Sequence, residues 1–209
     1  MTALSERIVW QDMTAVEVHV VLQGIEPLIW RRLVVPLRFT LADLHRVIQA
    51  AFGWTDSHLH EFRIGGLRFG DAAFMEAERI DDFDARTFEA ADVQLNDFGP
   101  EPGPTFDYVY DFGDNWVHRV TLEKRVPITP IPKTATCLAG ARSGPPEDVG
   151  SASGYAEFVR ILLRPEADER EEQRNLKHWS GGKFDPERFD LARTDKAVRG
   201  ALRKRRRLE

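Results

Sequence analysis

Apolar and polar residues alternate with a period of two in several stretches of this chain. Val16, Val18, Val20 and Leu22 alternate with Glu17, His19 and Val21, and Gly24 closes the run. Ile29 to Val35 lies between Pro27 and Pro36. Phe106, Tyr108 and Tyr110 alternate with Asp107, Val109 and Asp111, and the alternation resumes with Trp116, His118, Val120 and Leu122. These patterns predict strands over 16–22, 29–35, 60–64, 106–111 and 116–125, with shorter ones at 67–69 and 93–95. The period changes after Thr40, where Leu41, Leu44, His45, Ile48, Ala51 and Phe52 recur at helical spacing. Thr40 is a good N-cap, Asp43 completes a short-armed capping box, and Gly53 stops the helix. His45 sits at the edge of the apolar face and reads as a packed histidine.

Residues 71–92 carry many acids and little periodicity, which predicts a solvated loop. Pro127 to Pro132 forms a semi-rigid connector, and 137–154 is rich in Gly, Pro, Ser and acid. Helices are expected at 154–163 and, heavily charged, at 166–177. Asp185 before Pro186 predicts a short helix anchored by Phe189 and Leu191, and a last helix starts near Thr194. The fold class that follows is α+β. It has a mostly antiparallel sheet covered by one helix, with C-terminal helices packed at one end. Residues 14–191 form one domain and 192–209 a basic C-terminal helix or tail.

A content of 42% hydrophobic residues, with 13 Phe and 5 Trp in 209 residues, suffices for a core. One cysteine, Cys137, excludes an intramolecular disulfide and reads as inert. Neither a secretory signal nor an apolar run of about 20 residues is visible, so the expectation is a cytoplasmic protein outside the membrane. Arg199, Arg203, Lys204, Arg205, Arg206 and Arg207 hold six of the positive charges. Without them the rest carries about −11, from 23 basic against 34 acidic residues. An acidic body argues against a broad nucleic-acid face, and the tail reads as solvated or docked on that acidic body, with contact to the phosphate of a nucleic acid as the alternative.

Chemistry concentrates between Tyr108 and His118, a predicted hairpin whose tip is Gly113-Asp114-Asn115. Asp111 and Asp114 flank the glycine, and His118 lies two residues into the return strand. The same residue types also build ordinary turns. His58 and His60, at i and i+2, would project to one side of a strand, a spacing that suits two ligands of one metal. His58, His60, Asp111, Asp114 and His118 are therefore the candidate metal ligands, for Zn, Mn or Fe, expected to converge at one end of the sheet. Pro145-Pro-Glu-Asp148 puts two carboxylates on a stiffened loop, so Glu147 and Asp148 are candidate general bases, or alternatively caps of the next helix. Trp30, Arg31 and Arg32 read as packed sheet positions with snorkelling stems.

Several ordered motifs resemble one family. They are Gly24-Ile-x-Pro-x-Ile-Trp-Arg-Arg32, the Leu41-to-Trp54 helix, His58-Leu-His-Glu-Phe62, Tyr110-Asp-Phe-Gly-Asp-x-Trp-x-His118, Cys137-x-x-Gly140, Pro145-Pro-Glu-Asp148 and Trp179-x-Gly-Gly-x-Phe-Asp-Pro186. The chain is similar over about residues 14–191 to the plasmid Ri ORF-three-like family. Some of its members are labelled insertion-element passenger proteins of TnpR type. The resemblance implies an α+β protein without an established activity, associated with mobile elements. No serine stands in the arginine cluster that a serine recombinase needs. Two function classes remain: a binding or regulatory module for a protein, peptide or nucleic-acid partner, and a metal-dependent hydrolase acting on a phosphodiester or similar substrate.

Overall fold

The computed structural model describes residues 13–77, 86–99 and 103–203. In chain order the elements are β1 (Ala15–Leu22), β2 (Ile29–Pro36), α1 (Leu41–Phe52), β3 (His60–Ile64), β4 (Leu67–Gly70), α2 (Ala72–Ala77), β5 (Thr87–Glu89), β6 (Thr105–Tyr110), β7 (Trp116–Val126), β8 (Thr136–Ala141), α3 (Ser151–Leu163), α4 (Arg170–Trp179) and α5 (Leu191–Gly200). The strands form one sheet in the order β5-β4-β3-β6-β7-β1-β2-β8. Every pairing is antiparallel except β4 with β5. The protein is thus α+β, as its periodicity predicts.

The alternation explains the layers. Val18, Val20 and Leu22 of β1, Leu33 of β2, Val120 of β7 and Tyr108 of β6 are buried in one core together with the apolar face of α1. The intervening residues, such as Glu17, His19, Arg32, Arg119 and Thr121, are half-buried or exposed. The helix obeys its end signals. Thr40 and Asp43 form the reciprocal capping box, and Gly53 ends α1 in the left-handed region at φ 86°.

Some expectations need correction. The stretch at 71–92 contains α2 and β5, because β5 pairs in parallel with β4 and so gains its order from a partner distant in sequence. Asp81, Asp82 and Asp84, expected in that loop, lie outside the described residues. Residues 93–95 make a single bridge, Thr40 with Gln94, before a 3-10 turn rather than a strand. A further strand, β8, occupies 136–141; its pairing with β2 overrides a composition that suggested a loop. Asp185 starts no helix: its carboxylate accepts from Glu187 N at 3.0 Å within a turn, and the cap role passes to Asp190, which accepts from Arg193 N at the start of α5. α5 docks on the body, with Val198 2% exposed and Asp195 accepting from Cys137 N. Within the basic cluster Arg199 pairs with Asp195 at 2.7 Å, whereas Lys204, Arg205, Arg206 and Arg207 lie outside the described residues.

Candidate metal centre at the hairpin tip

Three loops meet at one end of the sheet: the segment 54–59 that leaves α1, the β6–β7 tip, and residues 145–150 after β8. Each contact between them has a physical cause in the sequence. Trp54, packed between Tyr110 and Trp116, donates its indole N–H to Pro145 O at 2.9 Å. Glu147 Oε1 accepts from Thr55 N at 2.7 Å and Thr55 Oγ1 at 3.1 Å. The Tyr110 hydroxyl accepts from Ser57 N at 3.0 Å and donates to Glu147. Burial pushes the Tyr110 hydroxyl pKa well up, so it is held as a donor. Asp114 Oδ2 accepts from Gly150 N at 3.0 Å and ties the hairpin tip to the third loop.

The tip itself turns in a way the glycine did not signal. Asp111 and Asn115 take positive φ, 56° and 54°, and Asn115 N donates to Asp111 O at 2.6 Å. Asp111 Oδ1 accepts from Gly113 N at 3.0 Å, which leaves its Oδ2 directed at His58, 3.7 Å from Nε2. Asp148, also left-handed at φ 57°, brings Oδ1 to 3.0 Å from the same Nε2. His58 Nε2, Asp111 Oδ2 and Asp148 Oδ1 can each supply one ligand atom within 4.8 Å of the others. Two left-handed carboxylate residues aimed at one imidazole are a local cost of about 1–2 kcal/mol each that the three tied loops sustain.

The five candidate ligands do not converge. His58 and Asp111 come together; Asp114 is a neighbour engaged with Gly150 N; His60 and His118 lie elsewhere, under α1. His58 and His60 separate because β3 begins at His60, so the strand alternation does not extend back to His58. The His60 ring stacks on His45 at 3.4 Å between centroids, and desolvation lowers its pKa to about 3. His118 is fully buried against Phe52, Trp54 and Tyr108, because its parity on β7 points it to the face that α1 covers. Desolvation takes its pKa to about 3, and the carbonyls of Tyr108 and Trp116 offset only part of the fall. Of the two candidate bases, Asp148 stands beside His58, and Glu147 clamps Thr55 and Tyr110 with Oε1 while its Oε2 meets only the Tyr110 hydroxyl, at 3.2 Å, among the described residues.

A second group, His45, Asp56 and His60, escaped sequence reasoning. His45 Nε2 lies 2.7 Å from Asp56 Oδ1 and Nδ1 lies 2.8 Å from the Tyr108 hydroxyl. Gln49 donates to that hydroxyl and accepts from Asp56 N. The hydrogen bond from His45 is the main cause of the lowered Asp56 pKa. Every nitrogen of His45 is thereby engaged, as a packed histidine requires. Burial raises the Cys137 thiol pKa to about 11, which favours the protonated thiol over the thiolate.

Comparison with known proteins adds three findings. The family model described as plasmid pRiA4b ORF-3-like protein matches residues 14–193. A protein of Sinorhizobium fredii (strain NBRC 101917 / NGR234), "Uncharacterized protein y4hQ", is 36% identical over 188 residues, 88% of this chain and 91% of that protein. The crystal structure of MM3350 from Methanosarcina mazei Go1, titled a protein of unknown function, superposes with a TM-score of 0.73 at 34% identity. The match covers 87% of this chain and 96% of that one.

Proposed function

Since the chain belongs to the plasmid pRiA4b ORF-3-like family, and the relatives named above are described as of unknown function, we propose from the site geometry that it is a metal-dependent hydrolase centred on His58, Asp111 and Asp148. One observation carries this reading. Two ligand atoms that each sit about 2.1 Å from one ion and subtend roughly 90° to 120° lie about 3.0 to 3.6 Å apart. His58 Nε2 is 3.0 Å from Asp148 Oδ1 and 3.7 Å from Asp111 Oδ2. An ion needs little more than ordinary side-chain adjustment to be held there. One imidazole and two carboxylates suit Mn, Fe or Zn, and three protein ligands leave coordination positions for water and substrate.

The site is open on the side that matters for chemistry. His58 and Asp148 side chains are 30% and 71% exposed, whereas Asp111 is 13% exposed and fixed by its own turn. A bound divalent ion supplies a lowered pKa for its water and charge stabilisation at a phosphoryl oxygen. Glu147, held at the same loop junction by Thr55 and Tyr110, would be the base for that water and would return the proton to the leaving oxygen.

The test is metal titration of untagged, chelator-treated protein by calorimetry with Mn, Fe(II) and Zn, followed by hydrolysis of bis(p-nitrophenyl) phosphate. One equivalent should bind, and His58→Ala and Asp148→Asn should each remove binding and turnover while leaving the melting temperature of the metal-free protein unchanged. Absence of saturable binding for all three ions, or turnover that survives both substitutions, overturns the proposal.

A further inference from the structure

Beside α1 runs a groove of about 580 Å³, bounded by the C-terminal end of α1, the segment 142–146 and the segment 180–197. That volume is in the range of small-molecule sites. Its floor holds Arg31, which is 2% exposed. The Arg31 guanidinium lies between the rings of Phe52 and Phe189, 4.9 Å and 4.7 Å from their centroids. Gly140 makes room for this stack, since a Cβ there would stand 2.7 Å from the Phe189 ring and 2.9 Å from Arg31 Cδ.

Arg31 is satisfied in hydrogen bonds but not in charge. Nε donates to Ala51 O, Nη1 to Trp30 O and Ala141 O, and Nη2 to Arg142 O. All four acceptors are neutral carbonyls, and one Nη2 hydrogen remains. No carboxylate lies within ion-pair distance of it among the described residues. A buried cation without a counter-ion is costly, and an anion drawn to the groove above it offsets that cost. The rim adds to the attraction. Lys183 and Arg193 are exposed and have no carboxylate within ion-pair distance among the described residues, and Arg188 meets Asp190 at only 3.5 Å. Asp185 and Asp190 offset part of this charge, but the groove is lined by five cationic side chains, Arg31, Arg142, Lys183, Arg188 and Arg193, against those two carboxylates, and of the five Arg142 is paired with Glu187. This local excess of positive charge stands on a chain of net charge −5, so it is a feature of the groove and not of the surface at large. Phe184 and Phe189 add aromatic surface to the lining.

We propose that this groove binds an organic phosphate of mononucleotide size, with the phosphate drawn by Arg31 from below and by Lys183 and Arg193 from the rim, and the organic ring against the phenylalanines. The site stands whether or not the hairpin tip hydrolyses anything.

The test is calorimetric titration of the chelator-treated full chain with AMP and, separately, with inorganic phosphate. AMP should bind saturably and more tightly than phosphate, with an affinity that falls as salt rises. Lys183→Ala/Arg193→Ala, both surface changes, should weaken AMP at least tenfold, and Phe184→Ala should weaken AMP but not phosphate. His58→Ala should bind AMP as the wild type does, which separates this site from the hydrolytic one. No saturable AMP binding, equal affinity for AMP and phosphate, or full binding by the double variant overturns the proposal.

Discussion

His118 gives the most quantitative consequence of the fold. Its imidazole has no exposed surface, Nδ1 donates to Trp116 O at 3.1 Å, and Nε2 meets no hydrogen-bond partner among the described residues. The folded pKa is about 3 against an ordinary 6.5, so the folded state keeps the ring neutral where the unfolded chain takes up a proton. The folded pKa is depressed. The stability it reflects is therefore complete above about pH 6.5 and is lost as pH falls toward 3. Each unit of pH within that window is worth about 1.4 kcal/mol per histidine, so His118 should cost roughly 2 kcal/mol between pH 7 and pH 5. Above pH 5 carboxylates with ordinary pKa values are mostly ionised, which leaves the histidines as the dominant titration. His60, also lowered to about 3, adds a slope of its own. The difference between wild type and His118→Leu isolates His118. Leucine has a similar volume and no polar atom of its own, but Trp116 O loses the Nδ1 donor, so at pH 7 the variant should lie within about 3 kcal/mol of wild type. Urea unfolding followed by tryptophan fluorescence reports directly, since the Trp54 ring lies 5.1 Å from the His118 ring. The variant should lose roughly 2 kcal/mol less than wild type between the two pH values, at an unchanged m-value. Parallel loss in both proteins would show that His118 is solvated or already charged in the folded state.

Two further substitutions test the packing around the site. Trp116, 2% exposed and packed on Trp54, should cost about 3–5 kcal/mol in Trp116→Ala by chemical denaturation; a loss under about 1 kcal/mol would mark it as a recognition residue. Arg31→Lys should destabilise by about 1.5–3 kcal/mol, because an ammonium with three donors leaves at least one of the four buried carbonyls unpaired, and an unchanged urea midpoint would refute the bonding scheme.

Local rules determined much of this protein from sequence alone. Period-two stretches gave β1, β2, β3, β6 and β7 because burial on one face leaves a mark at every second residue. Thr40, Asp43 and Gly53 set the ends of α1 because unsatisfied backbone groups select those side chains. β5 and β8 were not legible, since a short strand beside a distant partner is held by that partner's hydrogen bonds more than by its own residues. Arg31 looked like a snorkelling side chain, because nothing local announces the carbonyls of Ala51, Ala141 and Arg142 that surround it. The hairpin cluster divided the same way. Residue types named His58, Asp111 and Asp148, but only tertiary structure decided that these three meet while His60 and His118 turn under α1. The reason is geometric: a strand's parity fixes which face a side chain joins, and only the packed helix decides which face is dry.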